Sequence, residues 1–203
     1  MLTSQNFGSY VTGVAFHPTK NLVASCSSDK SVKLWNADTG AELWTVRGEK
    51  SIQCLAFSRN GRILAAGDGY VPGGKDYSIR LYDAESGTQI GCPLRGHNDP
   101  VWSVCFSPCG EKIASGGGER LFGNKDYSIR IWDAKTGEQI GSPLNVGSLV
   151  WSVRFSPAGD IVAAGCGDGT VQLIDVATAE VKRPLRGHRY APSLSKECFL
   201  SFG

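Results

Sequence analysis

The chain predicts an all-β fold, a propeller of four-stranded antiparallel blades, and three features of the sequence carry that expectation. One long stretch is written twice, as GGKDYSIRLYDAESGTQIGCPL from Gly73 and as GNKDYSIRIWDAKTGEQIGSPL from Gly123. Apolar residues fall in runs of four to seven with period-two alternation, each bounded by Gly, Pro, Asp or Asn. That is the pattern of short strands between tight turns. No stretch of eleven or more residues shows an apolar stripe at helical spacing.

The doubled stretch belongs to a unit that recurs four times. Its first strand is expected in VTGVAFHP, IQCLAFSR, VWSVCFSP and VWSVRFSP, which align Phe16, Phe57, Phe106 and Phe155. A turn leads to a second strand in NLVASC, RILAAG, EKIASG and DIVAAG. An Asp then opens the third, in DKSVKLWN, DYSIRLYD, DYSIRIWD and DGTVQLID, and the fourth lies in AELWTV, TQIGCPL, EQIGSPL and AEVKRPL. The expected units run approximately over 8–48, 49–96, 97–146 and 147–188, inside a segment 1–190 followed by an off-pattern tail, 191–203. A four-stranded sheet repeated at this period is a propeller blade, and each blade buries its faces only by stacking on the next. Four blades is the lower end of the range for propellers. An incomplete or partial propeller is therefore expected: the propeller portion of a larger regulatory protein or enzyme, a truncated repeat fragment, or a chain that self-associates through its open blade edges. A compact four-blade ring is the remaining alternative.

Bulk properties narrow the function. With a net charge of +2, the chain has no field to draw it to nucleic acid or an anionic membrane. The start MLTSQNFGSY lacks a basic and then apolar leader, so a cytoplasmic or nuclear home is expected. The seven cysteines are odd in number, form no C-x-x-C pair, and mostly sit in apolar runs, as reduced buried thiols do. With three histidines, a metal site has few ligands to recruit, and no cofactor is expected.

The ordered string GH…VWSVCFSPCGEKIASGG…DYSIRIWD resembles the tryptophan-aspartate (WD) repeat family of β-propellers, across roughly residues 8–188. That resemblance implies a buried structural tetrad formed by the His of Gly-His, a Ser of the second strand, the Asp before the third and the Trp that ends it. His97, Ser115, Asp126 and Trp132 match it residue by residue. The same residue types would serve a hydrolase triad, but catalysis needs an exposed nucleophile and an oxyanion hole. The resemblance implies the structural role, with no catalytic residue. Other units match in part: Ser25, Asp29 and Trp35 in unit 1, Asp76 and Tyr82 in unit 2, Asp168 in unit 4. The segment GYVPGGKD imitates a phosphate loop, yet it places Asp76 where that loop needs Ser or Thr and joins two expected strands.

The resemblance also implies a scaffold for protein or peptide partners, so specificity should lie where units depart from the repeat. Units 2 and 3 carry insertions between second and third strands, with Tyr70, Val71 and Pro72 in one and Arg120, Leu121 and Phe122 in the other. These either form a partner rim or fold back onto neighbouring blades. A further position, held by Thr12, Gln53, Trp102 and Trp151 in turn, places two tryptophans as partner anchors or as packing between blades. The basic run KRPLRGHR overlaps an expected outer strand and reads as a solvated face.

Overall fold

A computed structural model describes residues 9–70, 77–119 and 126–188. Within them lie four antiparallel four-stranded sheets, each built from consecutive strands. Blade 1 comprises β1 (Val11–Phe16), β2 (Leu22–Ser27), β3 (Ser31–Asn36) and β4 (Glu42–Arg47). Blade 2 comprises β5 (Ile52–Phe57), β6 (Ile63–Asp68), β7 (Tyr77–Asp83) and β8 (Gln89–His97). Blade 3 follows with β9 (Val101–Phe106), β10 (Lys112–Gly117), β11 (Ser128–Asp133) and β12 (Gln139–Asn145). Blade 4 holds β13 (Val150–Phe155), β14 (Ile161–Cys166), β15 (Thr170–Asp175) and the short β16 (Leu185–Arg186). The first strands β1, β5, β9 and β13 pack side by side in that order, and the fourth strands lie outermost.

Two local devices set each blade. In blades 2 to 4, the turn from first to second strand is closed by Gly61, Gly110 and Gly159, at φ of 73°, 80° and 80°. Only glycine takes that left-handed backbone without strain. A Cβ at Gly61 would also sit 2.2 Å from the buried His17 ring of blade 1. The turn from third to fourth strand is an Asx turn in every blade. Oδ1 of Asn36 accepts the amides of Asp38 and Thr39, and Oδ1 of Asp83, Asp133 and Asp175 accept the equivalent pairs. A side-chain oxygen that mimics a backbone carbonyl explains the Asn or Asp that closes each third strand.

The hydrophobic core lies between blades, in three clusters. Ala24, Cys26, Val32 and Leu34 of blade 1 meet Ile52, Leu64, Ala66 and Tyr82 of blade 2. Cys54, Ala65, Ile79 and Leu81 on the other side of blade 2 meet Val101, Val104, Ile113 and Trp132 of blade 3. Cys105, Ala114, Ile129 and Ile131 then meet Val150, Val153, Val162, Ala164 and Ile174 of blade 4. A blade covered on both sides must be apolar at consecutive positions, hence Leu64-Ala65-Ala66 in β6. Burial pushes the thiols of Cys26 and Cys105 up to about 11, as suits cysteines that pack as small hydrophobes.

The two ends of the stack differ. Val11, Val14 and Phe16 of β1 are 66%, 66% and 73% exposed, whereas Val150 and Val153, at the places of Val11 and Val14, are fully buried. The sequence is the same in kind; the difference is a preceding blade. The described residues form a partial propeller whose first and last blades have no further blade against them.

Truncating Val153 removes two methyl groups from the contact between blades 3 and 4. Val153→Ala is expected to lower the unfolding free energy by about 2 kcal/mol. Urea denaturation followed by tryptophan fluorescence measures it.

Candidate functional site

Along one edge of every blade the first strand begins, the second ends, the third begins and the fourth ends. At this rim the register of each first pair slips by one residue: between Val11 and Gly13, Ile52 and Cys54, Val101 and Ser103, Val150 and Ser152. The extra residue of each bulge is Thr12, Gln53, Trp102 or Trp151. A bulge lifts its residue out of the ladder and turns it to the sheet's edge, so all four positions stand on one rim. Thr12 Oγ1 donates to the Ile52 carbonyl at 2.5 Å, and the Trp102 indole N–H donates to the Gly118 carbonyl at 2.7 Å. Trp151 is 49% exposed, and its ring meets Trp102 edge-on with centroids 5.1 Å apart. Tyr70 is exposed on the same rim, its carbonyl accepting the Ser51 hydroxyl. Val71, Pro72, Asp76, Arg120, Leu121 and Phe122 lie outside the described residues.

Below the rim, blade 3 carries a connected polar network. The Trp132 indole N–H donates to Ser115 Oγ at 2.8 Å, and Ser115 Oγ lies 2.8 Å from His97 Nε2. His97 Nδ1 stands 3.2 Å from Asp126 Oδ2. The Asp126 carboxylate can only accept, so Nδ1–H donates to it, and Nε2 of the neutral ring accepts the Ser115 hydroxyl. The carboxylate also accepts from the Asn98 amide at 2.7 Å and from Ser128 Oγ at 2.5 Å. Burial pushes the Asp126 carboxyl up, but these hydrogen bonds outweigh it and hold the group well below the usual range. Burial also holds the His97 imidazole below its ordinary value, against the opposing pull of Asp126. Ser115 and His97 are 0% and 1% exposed, so no substrate reaches either.

The other blades keep parts of this arrangement. In blade 1, Trp35 donates to Ser25 Oγ at 2.8 Å, and Asp29 Oδ1 accepts the Ser31 amide and hydroxyl. In blade 2, Ala66 pairs with Arg80 as Ser115 pairs with Arg130, so Ala66 holds the serine place and Tyr82 is buried at the tryptophan place. The charge there comes from Asp68, a residue that sequence reasoning missed. Asp68 is fully buried; Oδ2 accepts the Ser78 amide and hydroxyl, and Oδ1 accepts Arg80 Nη1 at 2.6 Å. At the end of an apolar run, it has the look of a turn residue. Only the burial of ILAAGD on both faces could have flagged it.

Blade 4 replaces the network with Ala164 and Ile174, and Gly147 holds the histidine place, since Asn145 pairs with Ser128 as Arg95 pairs with Ser78. Asp168 remains, exposed, its Oδ1 accepting the Thr170 amide and hydroxyl at 3.0 and 2.7 Å. Burial raises that carboxyl, but the Thr170 bonds prevail and keep it below the usual range. Where the imidazole would stand there is a recess of about 350 Å³, lined by Tyr127, Gly147, Leu149, Trp151 and Asp168 among others. It opens on the rim beside the tryptophan pair.

The family profile described as WD domain, G-beta repeat (WD40), matches residues 2–36, 40–83, 87–133 and 141–175. The chain belongs to the WD40 family. Each WD40 match after the first opens within two residues of the start of the outer strand of one blade and ends with the third strand of the next. The WD40 repeat thus spans a blade boundary, which is why β16 falls beyond the last match. Similar proteins include WD40 repeat-containing protein HOS15 of Arabidopsis thaliana, 32% identical over 51% of this chain and 18% of its own length. Human striatin is 27% identical over 52% of this chain and 16% of its length. Transcriptional corepressor LEUNIG_HOMOLOG of Arabidopsis thaliana is 31% identical over 52% of this chain and 12% of its length. The chain spans less than a fifth of the length of these relatives.

Removing the Asp68 carboxylate takes from the largely buried Arg80, and from Ser78, the partner that the described residues give them, so Asp68→Ala is expected to lower stability by about 3 kcal/mol, read by urea denaturation. The His97 imidazole, depressed on folding, adds stability that is present above the ordinary histidine value and lost as pH falls through the lower folded value. His97→Ala should therefore cost about 1–3 kcal/mol near neutrality and flatten the loss on acidification. Denaturation curves at about pH 7.5 and about pH 5 test both effects.

Proposed function

We propose that this WD40 segment is a non-catalytic scaffold that binds a protein or peptide partner on the bulge rim. The observation that carries the reading is the half-exposed Trp151, set edge-on against Trp102 at the mouth of the Asp168 recess. An aromatic anchor beside a pocket is the common make-up of an interface hot spot. The carboxylate of Asp168 suits a basic or hydrogen-bond-donating side chain of the partner, set against the faces of Trp151 and Tyr127. The rim extends in this reading to Tyr70 and to the insertions after β6 and β10, which hold Val71, Pro72, Arg120, Leu121 and Phe122.

Several features support binding rather than chemistry. The residues that mimic a hydrolase triad are spent on a buried network. A net charge of +2 favours protein partners over nucleic acid or an anionic membrane surface. The names of the relatives, among them a transcriptional corepressor, support a regulatory role in the cytoplasm or nucleus. The chain would serve as one part of a larger WD40 assembly.

A second reading has its own support. The exposed Val11, Val14 and Phe16 form an apolar blade face that has no cover among the described residues. In this reading the segment also associates through its open blade faces.

Trp151→Ala and Asp168→Asn alter exposed groups and should leave stability within about 0.5 kcal/mol. Quantitative affinity capture from cell extract is expected to lose the recovered partners by at least about tenfold with Trp151→Ala. Equal recovery by wild type and both variants would remove the rim from consideration.

A further inference from the structure

The three contacts between blades are one interface used three times. Each joins the trailing face of one blade to the leading face of the next, and each is pegged where first strands meet. Thr12 Oγ1 donates to the Ile52 carbonyl, Cys54 Sγ to the Val101 carbonyl at 3.3 Å, and Ser103 Oγ accepts the Val153 amide at 3.1 Å. Blade 1 keeps a leading face with nothing before it among the described residues. Val11 is 66% exposed where Ile52, Val101 and Val150 are 1%, 0% and 0%. Blade 4 keeps a trailing face with nothing after it among the described residues. There Ala163, Val171 and Leu173, equivalent to the buried Ala114, Ile129 and Ile131 of blade 3, are only half-buried, and Ser152, equivalent to Ser103, is exposed.

We propose that a second copy of this chain occupies these faces, head to tail, with blade 4 of each copy stacked on blade 1 of the other. This rests on the reading above that the open blade faces associate. The two uncovered faces are the two halves of the interface that the chain already makes three times, so the matching surface is always supplied by another copy. Ser152 Oγ would accept the Val14 amide of the second copy, as Ser103 accepts that of Val153. Charge on the leading face is no obstacle. Lys33 holds the place of Arg80 and Arg130, both lodged between blades with hydrogen-bond partners. On the trailing side Arg154 turns back to the Val153 carbonyl and Ser103. Two copies joined through both seams supply eight blades, within the range of closed propellers, and a head-to-tail contact that closes on itself forms a ring.

Light scattering and sedimentation over a concentration series are expected to give a mass about twice the 21.7 kDa of one chain. Val14→Asp on the leading face and Leu173→Asp on the trailing face should each weaken pairing by roughly tenfold or more, because each buries an unpaired charge in both seams. Mixing the two variants should restore a dimer, since one of its seams then has two native faces. Phe16→Ser serves as a second leading-face variant, and circular dichroism verifies that each variant keeps its strands. A monomer at every concentration would overturn both the pairing and the association reading. A dimer broken by Val14→Asp but untouched by Leu173→Asp would keep association and overturn the head-to-tail arrangement. Failure of the mixture to recover a dimer would overturn it as well.

Discussion

A four-stranded sheet of six-residue strands has two faces and too little material to cover either. Every blade here is apolar on the side toward its predecessor and on the side toward its successor, and the core exists only where two blades meet. Leu34, Ile79 and Ile129 are fully or almost fully buried in clusters that draw residues from two sheets. Stability in such a stack is carried by contacts between neighbours, so position in the stack decides what a given residue does. Val14 and Val153 stand at the same place in the same strand, yet one faces solvent and the other is sealed.

The polar networks follow the same logic at finer scale. A buried hydroxyl, imidazole or carboxylate is tolerable only with a partner, so a group that stays must find one. Trp132, Ser115 and Asp126 of blade 3 form the full chain with His97, which ends the outer strand of blade 2. Blade 4 has Gly147, Ala164 and Ile174 at three of those places, and its remaining Asp168 has moved into solvent contact. Blade 2 solves the problem differently, with Asp68 on the second strand neutralising Arg80 and holding Ser78. In blade 4 the histidine and its serine partner are absent together, so no hydroxyl is stranded there, and a surface recess takes the place of the imidazole.

The rim is a by-product of strand register. One extra residue at the same place in every first strand turns Thr12, Gln53, Trp102 and Trp151 toward the same edge. Two of these serve the scaffold: Thr12 ties blade 1 to blade 2, and Trp102 caps its own blade through Gly118. Among the described residues Trp151 has no following blade to lean on and stays half-exposed against Trp102. In the proposed reading, the side chain offered to a partner is thus the one that the stack leaves over.

The strands, their order and the repeat were legible in the residues, because period-two alternation and the Gly, Asn and Asp of each turn act within a few positions of the chain. The members of the blade 3 network were legible for the same reason, each lying at a fixed place in a recurring unit. Asp68 was not, since its burial depends on Ser78 and Arg80 across the ladder and on the blade packed against it. Nor was the bulge, a register shift that alternation alone does not reveal, or the contrast between Val14 and Val153, which hold the same place in the repeated unit. Local rules act through covalent proximity and so were written in the sequence; which face is covered depends on whether another blade lies against it, and only the tertiary structure decided that.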